Sequence, residues 1–248
     1  MSDFNRGFPR TTAAPVADMS VDVGLRAFML GVYNKVALGL VLSAAMAYLT
    51  GAYPPVRDLM FQQRLDGRIG LSVLGMVVAF APLAIILFTN FTRSITPRGA
   101  GIVYWTIVTL IGASLGTVVV LYTGASIATT FLTCAAAFGG LSLVGYTTKK
   151  DLSGFGSFLI MGVFGLVIAM VVNMFLHSSG LAFIVNVVGV LIFAGLIAYD
   201  TQKLKMTYYQ LEGNEAGKSV ATSYGALSLY LDFINLFQFL LALFGSRR

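Results

Sequence analysis

Charge is what this chain has least of: only 10% of its 248 residues are Asp, Glu, Lys or Arg, against 57% hydrophobic residues. A water-soluble domain usually carries about 25% charged residues, so a soluble globular protein is excluded and an integral membrane protein is indicated. There is one cysteine, Cys134. It excludes an internal disulfide and, lying in an apolar stretch, reads as a small packing residue. There is one histidine, His177, placed in a turn and without the Gly-x-Ser-Gly partner that rhomboid-type serine chemistry requires. Residues 219–246 contain no lysine, which removes a retinal Schiff base from the last span. No cofactor and no stable metal site is expected. The net charge of +6 comes without any Lys/Arg cluster interleaved with aromatics, so no nucleic-acid partner is expected either. A basic excess is also what the cytoplasmic loops of membrane proteins carry.

Residues 1–24 are polar and hold no apolar core, so they read as a disordered cytoplasmic tail and not as a cleaved signal peptide. Residues 25–248 read as a single transmembrane domain. Leu25, Phe28, Met29 and Val32 suggest an amphipathic lead-in, with Lys35 snorkelling to the interface. The stretches 36–56, 69–92, 99–148 and 152–199 contain no charged residue. One crossing needs about 20 residues, so the last two stretches are each two helices long. Turn-forming residues at 122–126 and 176–180 divide them. Spans are expected near 33–51, 70–92, 101–121, 127–147, 155–175 and 181–200, with a seventh near 225–245. An N-terminus inside places 11 of the 16 Lys and Arg residues on the cytoplasmic face. Arg247 and Arg248 fall outside unless the last segment re-enters. Gly112 with Gly116, Gly162 with Gly165, and Gly189 with Gly195 are expected to let helices approach closely.

Two aspartates interrupt this apolar background. An ionised carboxylate within a span is costly and is by default a site hypothesis. Asp232 shares a helical face with Tyr224, Ser228 and Asn235, spaced four, four and three apart, with Gln238 a turn further on. A helix with such a stripe belongs at the centre of a bundle, where the stripe finds partners or water. Asp200 sits at the end of span six, where Lys203 three residues on offers an ordinary ion pair. Spans six and seven run in opposite directions from one face, so both carboxylates reach a similar depth. If they touch, repulsion at about 4 Å and an effective dielectric of about 20 is roughly 4 kcal/mol, enough for the two to share one proton.

Three stretches carry a family resemblance: Gly145-Tyr-Thr-Thr-Lys-Lys-Asp-Leu-Ser153, Phe193-Ala-Gly-Leu-Ile-Ala-Tyr-Asp-Thr-Gln-Lys203 and Ala226-Leu-Ser-Leu-Tyr-Leu-Asp-Phe-Ile-Asn-Leu-Phe237. In these the chain resembles the bacterial branch of the Bax inhibitor-1, or transmembrane Bax inhibitor motif, family. The resemblance implies an all-α bundle of seven transmembrane helices with the last one central and wrapped by the other six. It implies a multi-pass protein of the bacterial inner membrane. It also implies a pH-sensitive calcium or cation leak channel, not an enzyme, whose aspartate dyad falls on Asp200 and Asp232. Ser228 and Asn235 would then line the pore. The family's latch arginine, at the end of the second helix, has Arg93 as its nearest counterpart, although 91–97 departs from the family pattern. The acidic residue that some relatives carry within the second span is missing here.

Two other readings are weighed against the channel. Some bacterial relatives look like modulators of a membrane-bound ATP-dependent protease, a partner role that would use the tail and loops. Paired aspartates also characterise intramembrane aspartyl proteases, but their Gly-x-Gly-Asp pattern is replaced by Leu229-Tyr-Leu-Asp232.

Overall fold

The structure is a computed structural model that describes residues 22–63, 69–90 and 95–248. Most of the proposed tail and Arg93 lie outside the described residues. The first helix, α1 (Val23–Ala52), begins where the Asp22 carboxylate accepts the Leu25 N–H at 2.9 Å. The expected lead-in is thus part of one long helix, whose Leu25, Phe28, Met29 and Val32 are all buried. Lys35 does not snorkel. Its ammonium turns inward and donates to Ser223 Oγ at 2.7 Å.

A short helix α2 (Pro54–Met60) and a small hairpin follow, in which β1 (Phe61–Gln63) pairs antiparallel with β2 (Ile69–Leu71) through Phe61↔Leu71. Helix α3 (Val73–Asn90) is shorter than the span expected at 70–92, because β2 takes the beginning of that apolar stretch. The next span is broken into α4 (Pro97–Ser114) and α5 (Gly116–Leu121) at Leu115. The rest is regular: α6 (Gly124–Thr147), α7 (Ser153–Leu176), α8 (Ser179–Gln210) and α9 (Glu215–Phe244). Thr96, Thr123, Ser178 and Asn214 cap α4, α6, α8 and α9, each side-chain oxygen accepting a first-turn N–H. His177 closes α7 in the left-handed region at φ 51°, so the turn that separates α7 from α8 falls where 176–180 announced it.

Among the described residues, six helices are long and apolar enough to cross a membrane: α1, α4 running on into α5, α6, α7, α8 and α9. The apolar α3 falls short of that length. Helix α9 is the most buried, and it packs on α8, α1, α4 and α6. The expected wrapping by six helices is therefore corrected: α7 joins the bundle mainly through α8, and α3 through α4.

The end of α9 settles into the turn between α5 and α6. Thr123 N–H donates to Ser246 O at 3.1 Å, Arg248 N–H to Leu121 O at 3.0 Å, and the Arg247 guanidinium lies over the Tyr122 ring. A helix of 30 residues is about 45 Å long. It starts beside the end of α8 and finishes at the opposite end of α6, so α9 runs through the bundle and does not turn back.

Glycines set the close crossings. A Cβ on Gly112 would lie 2.6 Å from Ser43 Cα, and one on Gly116 would meet Thr50, so α1 and the α4–α5 junction touch backbone to backbone. Gly162, Gly189 and Gly195 face Ile192, Phe239 and Leu159, whereas Gly165 faces open space. The tightest approach to a partner's backbone outside these pairs is at Gly145 of α6, where any side chain would overlap Ala198 O of α8. Gly145→Val is expected to destabilise the protein by about 1–3 kcal/mol through forced separation of α6 from α8. Gly165→Ala is expected to change stability by no more than about 1 kcal/mol. Thermal unfolding in detergent, followed by far-ultraviolet circular dichroism, compares the two.

Candidate functional site

The three-residue and four-residue steps along α9 place Ser228, Asp232 and Asn235 on one face, as their spacing indicated. That face meets α8 at Tyr199, Asp200 and Lys203, and α7 supplies an apolar wall that includes Val163 and Val167. Between the three helices lies a crevice of about 440 Å³. Tyr224 and Gln238, the ends of the expected stripe, do not line it. Gln238 is exposed and Tyr224 packs at the edge of the core, so the polar run is three residues long.

Asp200 is not at a helix end. Helix α8 continues to Gln210, which puts Asp200 well inside a helix and facing α9. The ion pair expected with Lys203 is not formed. Among the described residues the salt bridges are Arg57–Asp58 and Lys218–Glu215, while the Lys203 ammonium stands 5.8 Å from the centre of the Tyr199 ring. The Asp200 carboxyl lies instead in the same crevice as the carboxyl of Asp232 and the hydroxyl of Ser228.

Asp232 is 6% exposed, and no N–H or hydroxyl among the described residues donates to its Oδ2. A buried carboxylate left in that state costs several kcal/mol. The crevice that holds it also holds the Asp200 carboxyl, the Ser228 hydroxyl and Lys203. A hydrogen bond between two carboxyls needs a proton on one of them. Asn235, a turn further on, donates its amide N–H to Leu231 O at 2.8 Å. Its side-chain oxygen remains an acceptor beside the crevice.

The opposite faces of α9 are bonded differently. Tyr230 is fully buried, and its hydroxyl meets Ser43 Oγ of α1 at 2.6 Å; Ser43 Oγ in turn donates to Val108 O of α4 at 3.1 Å. Sequence reasoning passed over this pair, because a serine among alanines and a tyrosine among leucines give no periodic signal.

It also missed Gln202, which gives the first quoted stretch its structural meaning. The Gln202 amide accepts the Leu152 N–H at 2.8 Å and donates to Lys150 O at 2.7 Å, clamping the α6–α7 loop onto α8. Buried Lys205 adds a bond from Nζ to Tyr146 O at 2.7 Å. In the same loop the Asp151 carboxylate accepts from Ser153 N at 2.8 Å, and bonds from Ser153 hold its pKa below the ordinary aspartate value. The quoted stretches at 145–153 and 193–203 are therefore two halves of one joint. The signal available in the sequence was a glutamine one residue before Lys203 and three before Lys205. Cys134 behaves as expected, buried with Sγ 3.6 Å from Phe233 O.

A bundle of long apolar helices around a polar crevice, with paired carboxyls inside it, defines a helical integral membrane protein. Residues 25–248 match the sequence model of the family described as inhibitor of apoptosis-promoting Bax1. The chain is 63% identical to a Caulobacter vibrioides protein over the full length of both. It is 42% identical to a Rickettsia prowazekii protein, covering 97% of this chain and 98% of the relative. It is 41% identical to the Escherichia coli inner membrane protein YbhL, covering 91% of this chain and 94% of the relative. The chain belongs to the Bax inhibitor-1 family.

The pair makes a prediction that is independent of any activity. Asp232→Asn supplies an amide N–H to Asp200 and is expected to melt within a few degrees of the parent. Asp232→Leu strands the Asp200 carboxyl beside Ser228 alone and is expected to cost about 1–3 kcal/mol near neutral pH. Thermal melting of both variants in the same detergent is the check, and equal midpoints would remove the coupling between the two carboxyls.

Proposed function

We propose that this chain is a pH-sensitive cation leak channel of the bacterial inner membrane, with calcium as the permeant ion and the Asp200–Asp232 pair as its gate. The observation that carries the reading is the missing donor at Asp232 Oδ2 among the described residues, in a crevice shared with the Asp200 carboxyl, where one proton held between the two supplies the missing bond. With that proton in place, α8 and α9 are held together at the crevice. Without it, two carboxylates face each other and repel by roughly 4 kcal/mol at about 4 Å and an effective dielectric of about 20. That is enough to shift a two-state equilibrium by a factor on the order of 10³.

The rest of the crevice supports the same reading. Asp200, Asp232 and the side-chain oxygens of Ser228 and Asn235 form an oxygen-rich wall, which suits a hard cation such as calcium. In this reading the ion passes the site in transit and is not held there as a bound metal. The location agrees with the printed name of the Escherichia coli relative, an inner membrane protein. In this reading α3 completes a count of seven spans. Its 18 residues reach about 27 Å, close to the hydrocarbon thickness of about 30 Å. The N-terminus and the ends of α6 and α8 then face the cytoplasm.

Purified protein in liposomes loaded with a calcium-sensitive dye tests the proposal. Calcium influx is expected to rise as the pH is raised through the titration of the pair. Asp200→Asn and Asp232→Asn, which keep a neutral hydrogen-bonding partner at every pH, are expected to flatten that profile at a low influx. Variants that keep the parent's pH profile would remove the gate, and an absence of influx in the parent would remove the channel.

A further inference from the structure

Helices α1 and α6 both lie against α9, yet near the face where α1 begins they leave a crevice of about 600 Å³ between them. One wall is a single face of α1, with Arg26, Leu30 and Tyr33 following the helical repeat. The other is a single face of α6, with Gly139, Ser142 and Leu143. Leu30 and Leu143 are 49% and 62% exposed, so the crevice opens sideways between lipid-facing side chains. The T-shaped contact of Tyr33 with Phe138 closes it towards the bilayer centre. Three hydroxyl-bearing residues, Tyr33, Ser142 and Tyr146, line the interior, and no carboxylate does. At its outer end Arg26 is exposed and forms no ion pair among the described residues, while the nearby Asp22 carboxylate is engaged in capping α1.

We propose that this crevice binds an anionic phospholipid, with the headgroup phosphate at Arg26 and one acyl chain laid along the groove between α1 and α6. A guanidinium that forms no ion pair among the described residues, placed at the membrane boundary, is suited to bind phosphate, and its planar fork favours bidentate contact. The apolar slot below it, open to the side, takes a chain from the surrounding leaflet without any helix having to part. A Cβ built at Gly139 meets nothing within 4 Å, so the slot beside it is open space that a larger side chain there would enter. Gly140 is equally free of neighbours but does not line the crevice, and it provides a matched control.

Native mass spectrometry of the full chain in a mild detergent, titrated with phosphatidylglycerol or phosphatidylcholine, decides the matter. The parent is expected to retain one phosphatidylglycerol at concentrations about tenfold below those needed for phosphatidylcholine. Gly139→Leu, which fills the slot, is expected to lose the bound lipid, and exposed Arg26→Gln to lose the preference for phosphatidylglycerol. Gly140→Leu and deletion of residues 1–20 are expected to keep both properties. Equal retention of the two lipids by the parent, or undiminished retention by Gly139→Leu, would overturn the proposal. So would binding that appears only after residues 1–20 are removed, which would make the N-terminal segment the occupant.

Discussion

Hydrocarbon offers no partner to a polar atom, so carboxyls, hydroxyls and amides within the bundle turn to other parts of the same chain. This constraint orders the whole interior. It brings Asp200 to Asp232 and sets Tyr230 on Ser43, where both hydroxyls find oxygen. It turns Lys35 inward to Ser223 and folds Thr50 Oγ1 back onto Ala113 O at 2.9 Å. Helix α9 is at the centre because it carries several of these obligations on different faces, and each is met by a different neighbour.

Satisfying polar atoms at hydrogen-bonding distance requires helices that come close, and close approach is what the glycines permit. Gly112 and Gly116 let α1 press against α4 and α5, which is why Ser43 and Thr50 can reach carbonyls of the partner helix at all. Gly145 does the same for α6 and α8, bringing the α6–α7 loop within range of the Gln202 amide. Steric permission and polar satisfaction are therefore two aspects of one device, and losing the first removes the second.

How much of this was legible in the chain varies with the range of the signal. Uncharged stretches of bilayer length announce helices, and the turns at 122–126 and 176–180 fell where their glycines, serines and threonines indicated. The spacing of Ser228, Asp232 and Asn235 is local and survived intact. Three kinds of feature did not show. The break at Leu115 depends on Gly116 meeting Thr50, far away in sequence. The hairpin of β1 and β2 took residues that hydropathy assigned to a span, since hydropathy does not distinguish a strand at the boundary from the first turn of a helix. The continuation of α8 beyond Asp200 also stayed hidden. Lysines at 203 and 205 marked an interface, whereas the helix carries them onward, one beside a tyrosine ring and the other buried against Tyr146 O.

The distribution of bonds around α9 bears on where the proposed gate has room to move. Towards α1 and α4 the central helix is tied by Tyr230 to Ser43 and by Ser223 to Lys35, with aromatic rings of α6 closing on Phe233. Towards α7 it faces a crevice, and α7 itself is the least buried of the long helices, supported mainly by α8. A repulsion arising between Asp200 and Asp232 therefore acts on anchored α9 and on α8, which packs on α6 on one side and on the peripheral α7 on the other. The loop clamp of Gln202 fixes only one end of that neighbour. In the proposed gating, displacement falls on the α7–α8 side, while α9 and its contacts with α1 remain as the fixed wall of the path.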